Sequence, residues 1–505
     1  MSDSETLSLN HLPLEILHSV FHYLDIPDIL GIRRVNRYLN QVSHSKHVWS
    51  DVYRKAEFIC PPGPFLSRSA HDLEKALVSS FRVDRNLRHG GSTQTERSTL
   101  KVREIRYTGV DLRVRLVFGR FLLVAFKEEV RCYDLNLDTS DSNSGASIIY
   151  RTTGASLRSF DCVSAVDAEG RSFACAVLNE ITKTAARISI YSLNVGEQSE
   201  VTLDLLHQFE RGAFNCIDTV DLGPRVIVVN VGGRVIEGGW HHVVLDVHTH
   251  TQFMLSSFVS DIKWDSEVAS ELPNWNAVEE FTSPTSISTS THVLVAVSFY
   301  TRAAGWSTFF QAFSLPPPHT HRYSIPASTP LSLSHRGLIP GINLPEIVLL
   351  HDAILDSTTQ DVVIAIRVHA FESSRPRSPL SKHGILRLSA VQPPGDHEVG
   401  TITFRLLSPI GHPRAFFLHP SFNGTGRAFY TLEPGSHGIV SALEYDLRTR
   451  GYDDGEQEAK VVEYPSILRF PTPRTLLDYD PYAGRICLRS TMTKYSVIEI
   501  LDLAV

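Results

Sequence analysis

Gly119-Arg120-Phe121-Leu122-Leu123-Val124-Ala125-Phe126, a polar interval, and then Tyr133-Asp134-Leu135 is the stretch on which the fold turns. A Gly-led opening, a short apolar run, a polar turn and a second apolar run are the signature of a β-hairpin. The pattern recurs. Gly170-Arg171 through Leu178 closes at Tyr191-Ser192-Leu193, and Pro224-Arg225 through Val231 closes at Leu245-Asp246-Val247. His292 to Tyr300 closes at Phe313-Ser314-Leu315, and Asp361 to Val368 closes near Leu388. Gly426-Arg427 through Leu432 closes at Tyr445-Asp446-Leu447, and Gly484-Arg485 through Arg489 closes at Leu501-Asp502-Leu503.

The closing residues fall at positions 133, 191, 245, 313, 388, 445 and 501, so the units are 54 to 75 residues apart. Each interval holds four strands of about five or six residues plus turns, the size of one propeller blade. A sheet that small buries its apolar face only against a neighbour, and closing a ring of such sheets removes the unprotected ends. The expectation is a mainly β chain, with a seven-bladed β-propeller over residues 100–505. A sandwich or two smaller barrels is the competing arrangement of the same strands. WD-repeat resemblance is loose, since Trp264-Asp265 is the sole Trp-Asp pair and lies away from a closing position. Kelch repeats fit no better, and the short period of leucine-rich repeats is absent.

Residues 9–58 read differently. Ile16, Leu17, Val20, Phe21 and Leu24 recur at helical spacing, with Pro13 at the helix start. Asp25 and Asp28 offer caps for a second helix carrying Ile29, Ile32, Leu39 and Val42, and a third is expected from Lys46 to Glu57. Three short helices bury a small core and leave apolar surface for a partner. Residues 59–99 read as a linker with a short helix at His71 to Ser80.

The order Leu12-Pro13-x-Glu15-Ile16-Leu17, Val20-Phe21-x-Tyr23-Leu24, Asp28-Ile29-Leu30, Arg34-Val35-Asn36-Arg37 and Trp49 resembles the F-box family over about 45 of the 505 residues. Asn36 and Tyr38 depart from residues common in that family. The resemblance implies docking onto a Skp-type adaptor and, through it, a cullin-RING ubiquitin ligase. It assigns Leu12, Pro13, Ile16, Leu17, Phe21, Leu24, Leu30 and Val35 to the adaptor surface or its immediate support. The β domain would then hold a protein target, making the chain a non-catalytic receptor subunit. A propeller enzyme with an F-box-like cap and a non-degradative scaffold are the alternatives.

Composition, 42% hydrophobic and 20% charged, is that of an ordinary globular chain and excludes a collagenous, mucin-like or mostly disordered protein. The net charge, 48 − 55 = −7, gives no overall attraction for nucleic acid or anionic lipid. Arg82 to Arg120 carries a local +6, read as solvent-facing strand arginines. The acidic N-terminus and the lack of a long uncharged apolar stretch point to a cytoplasmic or nuclear protein, and six scattered cysteines suit a reducing compartment. No cofactor is expected. His241, His242, His248 and His250 lack a suitably spaced third ligand, Gly435-Ser436-His437-Gly438 is not a nucleophile elbow, and no phosphate-binding loop occurs. Ser378, in the insertion Phe371 to Gly384, is a possible phosphorylation site. Target binding is expected on the hairpin turns, at Trp240, His241, Trp306 and His437, because exposed aromatic turns make binding anchors.

Overall fold

The computed structural model describes residues 12–56, 58–61, 63–64, 68–89, 101–107, 113–137, 146–166, 172–182, 185–196, 200–212, 217–223, 225–231, 241–247, 249, 251–255, 278–281, 285–302, 305–317, 329–340, 346–355, 360–370, 380–389, 399–406, 416–419, 425–431, 439–446, 460–469, 475–480, 483–491 and 496–503. His248, His250 and Ser378 lie outside these residues.

The N-terminal helices are α1 (Leu14–His22), α2 (Ile26–Ile32), α3 (Arg37–Ser43) and α4 (Lys46–Lys55). The single second helix expected from the sequence is thus two. Asn36 takes extended backbone, and its side-chain oxygen accepts from the Leu39 N–H at 2.7 Å, which starts a new helix where the old one would have run on. Ser45 caps α4 in the same way, whereas Asp25 precedes α2 without a side-chain capping bond. Leu17, Phe21, Ile26, Ile29, Leu39, Val42, Val48 and Trp49 form the shared core.

Helix α5 (Ala70–His89) is twice the length expected from the sequence. Leu73 and Leu77 complete the core of the first four helices, so the segment expected as a linker is partly integral to the helical domain. Arg33 at the end of α2 secures it: Nη2 donates to Glu74 Oε2 at 2.9 Å, and the guanidinium lies over the Trp49 ring at 5.5 Å. Val83 and Leu87, on the second half of α5, are buried as well. Among the described residues no helix is long and apolar enough to cross a membrane.

Among the described residues, the strands beyond residue 100 follow one another as antiparallel meanders, with Thr329–Pro330 added parallel to Gln252–Leu255, Val278–Phe281 added against His292–Thr301, and Leu333–Pro340 pairing in parallel with Gly400–Leu406 so that two successive meanders share one sheet. The first runs through Arg113–Val117, Phe121–Ala125, Glu129–Asp134 and Ala146–Arg151. The second comprises Ser156–Val166, Ser172–Ile181, Ala185–Val195 and Val201–Gly212. Ile217–Leu222, Val226–Val231, His241–Asp246 and Gln252–Leu255 make the third; Thr285–Ser288, His292–Thr301, Gly305–Ser314 and Leu333–Pro340 make the fourth. Glu346–Leu355, Val362–Ala370, Leu380–Leu388 and Gly400–Leu406 follow, and then Phe416–His419, Thr425–Thr431, Ile439–Asp446 and Lys460–Arg469. The last has three strands from the end of the chain, Thr475–Asp480, Arg485–Thr491 and Ser496–Asp502, and takes its fourth from Lys101–Tyr107.

The repeat read from the sequence is the central hairpin of each meander. Phe121 lies opposite Asp134, Val226 opposite Asp246 and Arg485 opposite Asp502, so the opening and closing motifs meet across two strands. The first strand of each meander touches the first strand of the next, and Thr475–Asp480 returns to Arg113–Val117. Among the described residues, apolar clusters fill the spaces between the first five successive meanders and the junction of the last with the first, where Cys487, Ile498 and Ile500 meet Leu116, Leu122 and Val124. This closed circuit is a β-propeller, not a sandwich. Borrowing a strand from before the ring pins the closure, since no free edge remains between the last sheet and the first.

Candidate functional site

The helical domain shows apolar residues on two sides of α1. Leu17 and Phe21, each 1% exposed, face inward and hold the fold, so of the residues assigned to adaptor binding these two can only support it from below. Burial of such side chains stabilises by roughly 1.5–3 kcal/mol each. Pro13, Ile16 and Val35 are exposed; Leu12, Leu24 and Leu30 are half-buried against the core. Beside them stand exposed Leu14, Val20, Tyr23 and Tyr38, which the sequence reading did not assign to the surface. The signal was present: Ile16, Val20 and Tyr23 recur at four and three residues, a second stripe next to Leu17 and Phe21. A short helix apolar on both faces has more apolar surface than its own domain covers.

Helix α5 fixes this domain to one rim of the propeller. Asn86 Nδ2 donates to the Leu503 carbonyl at 2.7 Å, and Val83 sits against the turn at Gly484. Gly484 has φ +67°, and a Cβ there would overlap the Val83 side chain, so the close approach requires glycine. Next to it, Arg485 Nη2 donates to Asn136 Oδ1 at 2.9 Å, tying the last meander to the first on the same rim. In a meander the turns alternate between rims. The turns between second and third strands therefore open on the rim opposite α5.

Of the expected target anchors, Trp306 alone has a described side chain, and it stands toward that opposite rim. Trp240 and His437 lie outside the described residues, and His241 is described only as the first residue of its strand. His242 is fully buried. Trp306 corrects the expectation of a turn residue: it is in a strand, opposite Tyr300, with ring centroids 5.5 Å apart. It is half-buried, and the aromatic pair secures the hairpin end.

A cleft of about 960 Å³ lies on the same rim, between the closing strand and the first meander. Arg106 and Tyr107 come from the end of Lys101–Tyr107, Phe126 to Glu129 from the central hairpin turn, and Arg151 and Thr152 from the outer strand. Glu129 accepts from Arg131 Nε at 2.7 Å and Arg151 Nη2 at 3.1 Å. Burial works against its charge, but the two guanidiniums prevail and hold its carboxyl below the usual range.

The inner strands carry carboxylates, the feature that would favour an enzyme. Asp161 accepts from Arg115 Nε at 2.6 Å, Asp478 from the Leu116 N–H at 2.5 Å, and Asp221 from Ser288 Oγ at 2.6 Å. Each bond crosses from one meander to its neighbour, so these groups stitch the ring. Burial pushes the Asp221 carboxyl up to about 7, the Ser288 bonds opposing it. Cys132 and Cys175 are pushed up to about 12 by burial, away from thiolate chemistry. Among the described residues no cluster of three or more potential metal ligands occurs.

Comparison with known proteins matches the geometry of the helices. The F-box-like family model matches residues 9–55. No curated protein matches the chain. Among solved structures, the β-propeller domain of the Trilobed protease from Pyrococcus furiosus is 10% identical, with 79% of this chain and 98% of that one covered and a TM-score of 0.35. The Vanderwaltozyma polyspora Nup133 β-propeller domain is 9% identical, with 80% and 97% covered and a TM-score of 0.37. These are likenesses only, and the propeller architecture stands on the strand circuit itself. Residues 9–55 are an F-box-like domain, and the chain joins it to a β-propeller.

Proposed function

We propose that this protein is a substrate-recognition subunit of a Skp-cullin-F-box ubiquitin ligase, with the F-box docking the adaptor and a seven-bladed propeller holding the target. The observation that carries the reading is the division of labour between surfaces. Exposed Leu14, Ile16, Val20, Tyr23 and Val35 offer an apolar surface on the F-box-like domain, and α5 anchors that domain to one rim of the propeller, leaving the opposite rim for another partner. In such an interface a few apolar anchors dominate the affinity. The propeller residues act by binding and not by catalysis, a reading supported by Asp161, Asp478 and Asp221, whose carboxylates are engaged in inter-sheet bonds. Function in the cytoplasm or nucleus follows from the partners.

Co-purification of the full chain with a Skp-type adaptor and a cullin tests this. Capture of both supports the receptor. Adaptor without cullin points to a non-degradative scaffold, and neither points to a propeller whose F-box-like domain serves another role.

A further inference from the structure

The cleft between the closing strand and the first meander has three properties that together define a ligand. Its lining carries four cationic side chains, Arg106, Lys127, Arg131 and Arg151, against two carboxylates, Glu128 and Glu129, a local excess of +2 on a chain whose net charge is −7. Its apolar wall is aromatic: Phe126 meets Tyr107 edge-on with ring centroids 6.4 Å apart, and the Arg131 guanidinium lies over the Phe126 ring at 4.9 Å. Finally, Tyr107 lines the cleft, is only 7% exposed, and its hydroxyl has no hydrogen-bond partner.

A buried hydroxyl left unpaired costs on the order of 1–3 kcal/mol, and an incoming acceptor removes that cost. The lone donor, the cationic excess and the aromatic wall ask for an anionic acceptor carried on a chain with apolar side chains. We propose that this cleft binds an acidic segment of the target polypeptide, with a Glu or Asp carboxylate accepting from the Tyr107 hydroxyl and the adjoining aromatic or aliphatic side chains lying against Phe126. Glu129 already holds Arg131 and Arg151 in place, so the cations are positioned before the ligand arrives. Lys127 is exposed at the hairpin turn and extends the positive field outward. This inference rests on the receptor reading for the word target, but the cleft and its ligand chemistry do not depend on the adaptor.

The probe is a fluorescein-labelled six-residue peptide alternating Glu and Phe, titrated into the full-length protein and followed by anisotropy, beside its Gln-for-Glu counterpart. The Glu peptide is expected to bind at least tenfold more tightly than the Gln peptide, with affinity falling as salt rises. Tyr107→Phe is expected to weaken it several-fold at unchanged melting temperature, and Lys127→Glu to weaken it tenfold or more. Equal binding of the two peptides, or unchanged affinity in both variants, overturns the proposal. So does binding confined to a phosphoserine version, which would assign the cleft to a phosphoester instead. Adaptor capture by the wild-type protein separates the two readings: wild-type protein that captures the adaptor but does not bind the Glu peptide defeats the cleft alone, and wild-type protein that binds the peptide but captures no adaptor defeats the receptor reading alone.

Discussion

Arg225 Nε donates to Asp246 Oδ2 at 2.9 Å, and the two residues occupy the opening and closing motifs of the third repeat unit. Arg120 and Asp134 hold the same places in the first unit, with Nη2 2.6 Å from Oδ2. Each Asp also accepts from a backbone N–H just beyond its strand, Thr249 at 3.1 Å and Asn136 at 2.9 Å, so one carboxylate fixes both the hairpin and the turn after it. In the fifth unit the polarity is reversed, Asp361 opening and Arg387 closing at 3.0 Å.

The third-unit pair is the more deeply buried of the first two, with side-chain exposures of 7% and 0% against 33% and 8%. Removing one partner of a buried pair leaves the other charge uncompensated, at a cost of about 3–5 kcal/mol. Asp246→Ala is therefore expected to destabilise the propeller by that order, and Asp134→Ala by less. Urea unfolding of both variants checks the ranking, and equal losses would contradict it.

Gly484→Ala combines a left-handed backbone with a clash against Val83, and is expected to cost about 1–3 kcal/mol. Adding Val83→Ala to it relieves the overlap but not the backbone strain. Part of the lost melting temperature is expected to return in the double variant. A double variant no more stable than Gly484→Ala alone would show that α5 does not press on this turn.

The two apolar stripes of α1 are expected to respond differently. Leu17→Ala or Phe21→Ala empties core volume and is expected to cost the helical domain about 2–5 kcal/mol. Ile16→Glu with Val20→Glu changes only exposed positions, and is expected to abolish adaptor capture while far-ultraviolet circular dichroism stays the same. Undiminished capture by that variant would move the adaptor surface off α1.

Acid acts on the ring at His292. Burial, helped by His335 with its ring centroid 5.7 Å away, pushes the His292 imidazole down to about 4. The unfolded chain, titrating near 6.5, therefore binds this proton first as pH falls. Stability from this group is full above about pH 6.5 and is lost progressively down to about pH 4, a change on the order of 3 kcal/mol. Subtracting the stability profile of His292→Asn from that of the wild type isolates the effect. A flat difference between pH 4 and 6.5 would remove His292 as its source.

The local units were legible in the order of residues alone. Alternating apolar runs bounded by glycine and polar turns can pair only with the strand across the turn, so the central hairpins, such as Phe121–Ala125 with Glu129–Asp134, were legible at short range. The spacing from Leu12 to Trp49 likewise marked the F-box-like helices. Outer strands were harder to read: Ala146–Arg151 is nowhere fully buried, so it carries little apolar signal. Tertiary structure decided which stripe of α1 faces inward, because Ile16 and Leu17 are equally apolar and only the packing of Leu39, Trp49 and Leu77 distinguishes them. It also decided that Lys101–Tyr107 closes the ring by pairing with Ser496–Asp502 from the far end of the chain. The cleft depends on that closure, since Tyr107 and Phe126 become neighbours only when the last sheet meets the first, and burial is a relation between residues that periodicity along one segment does not contain.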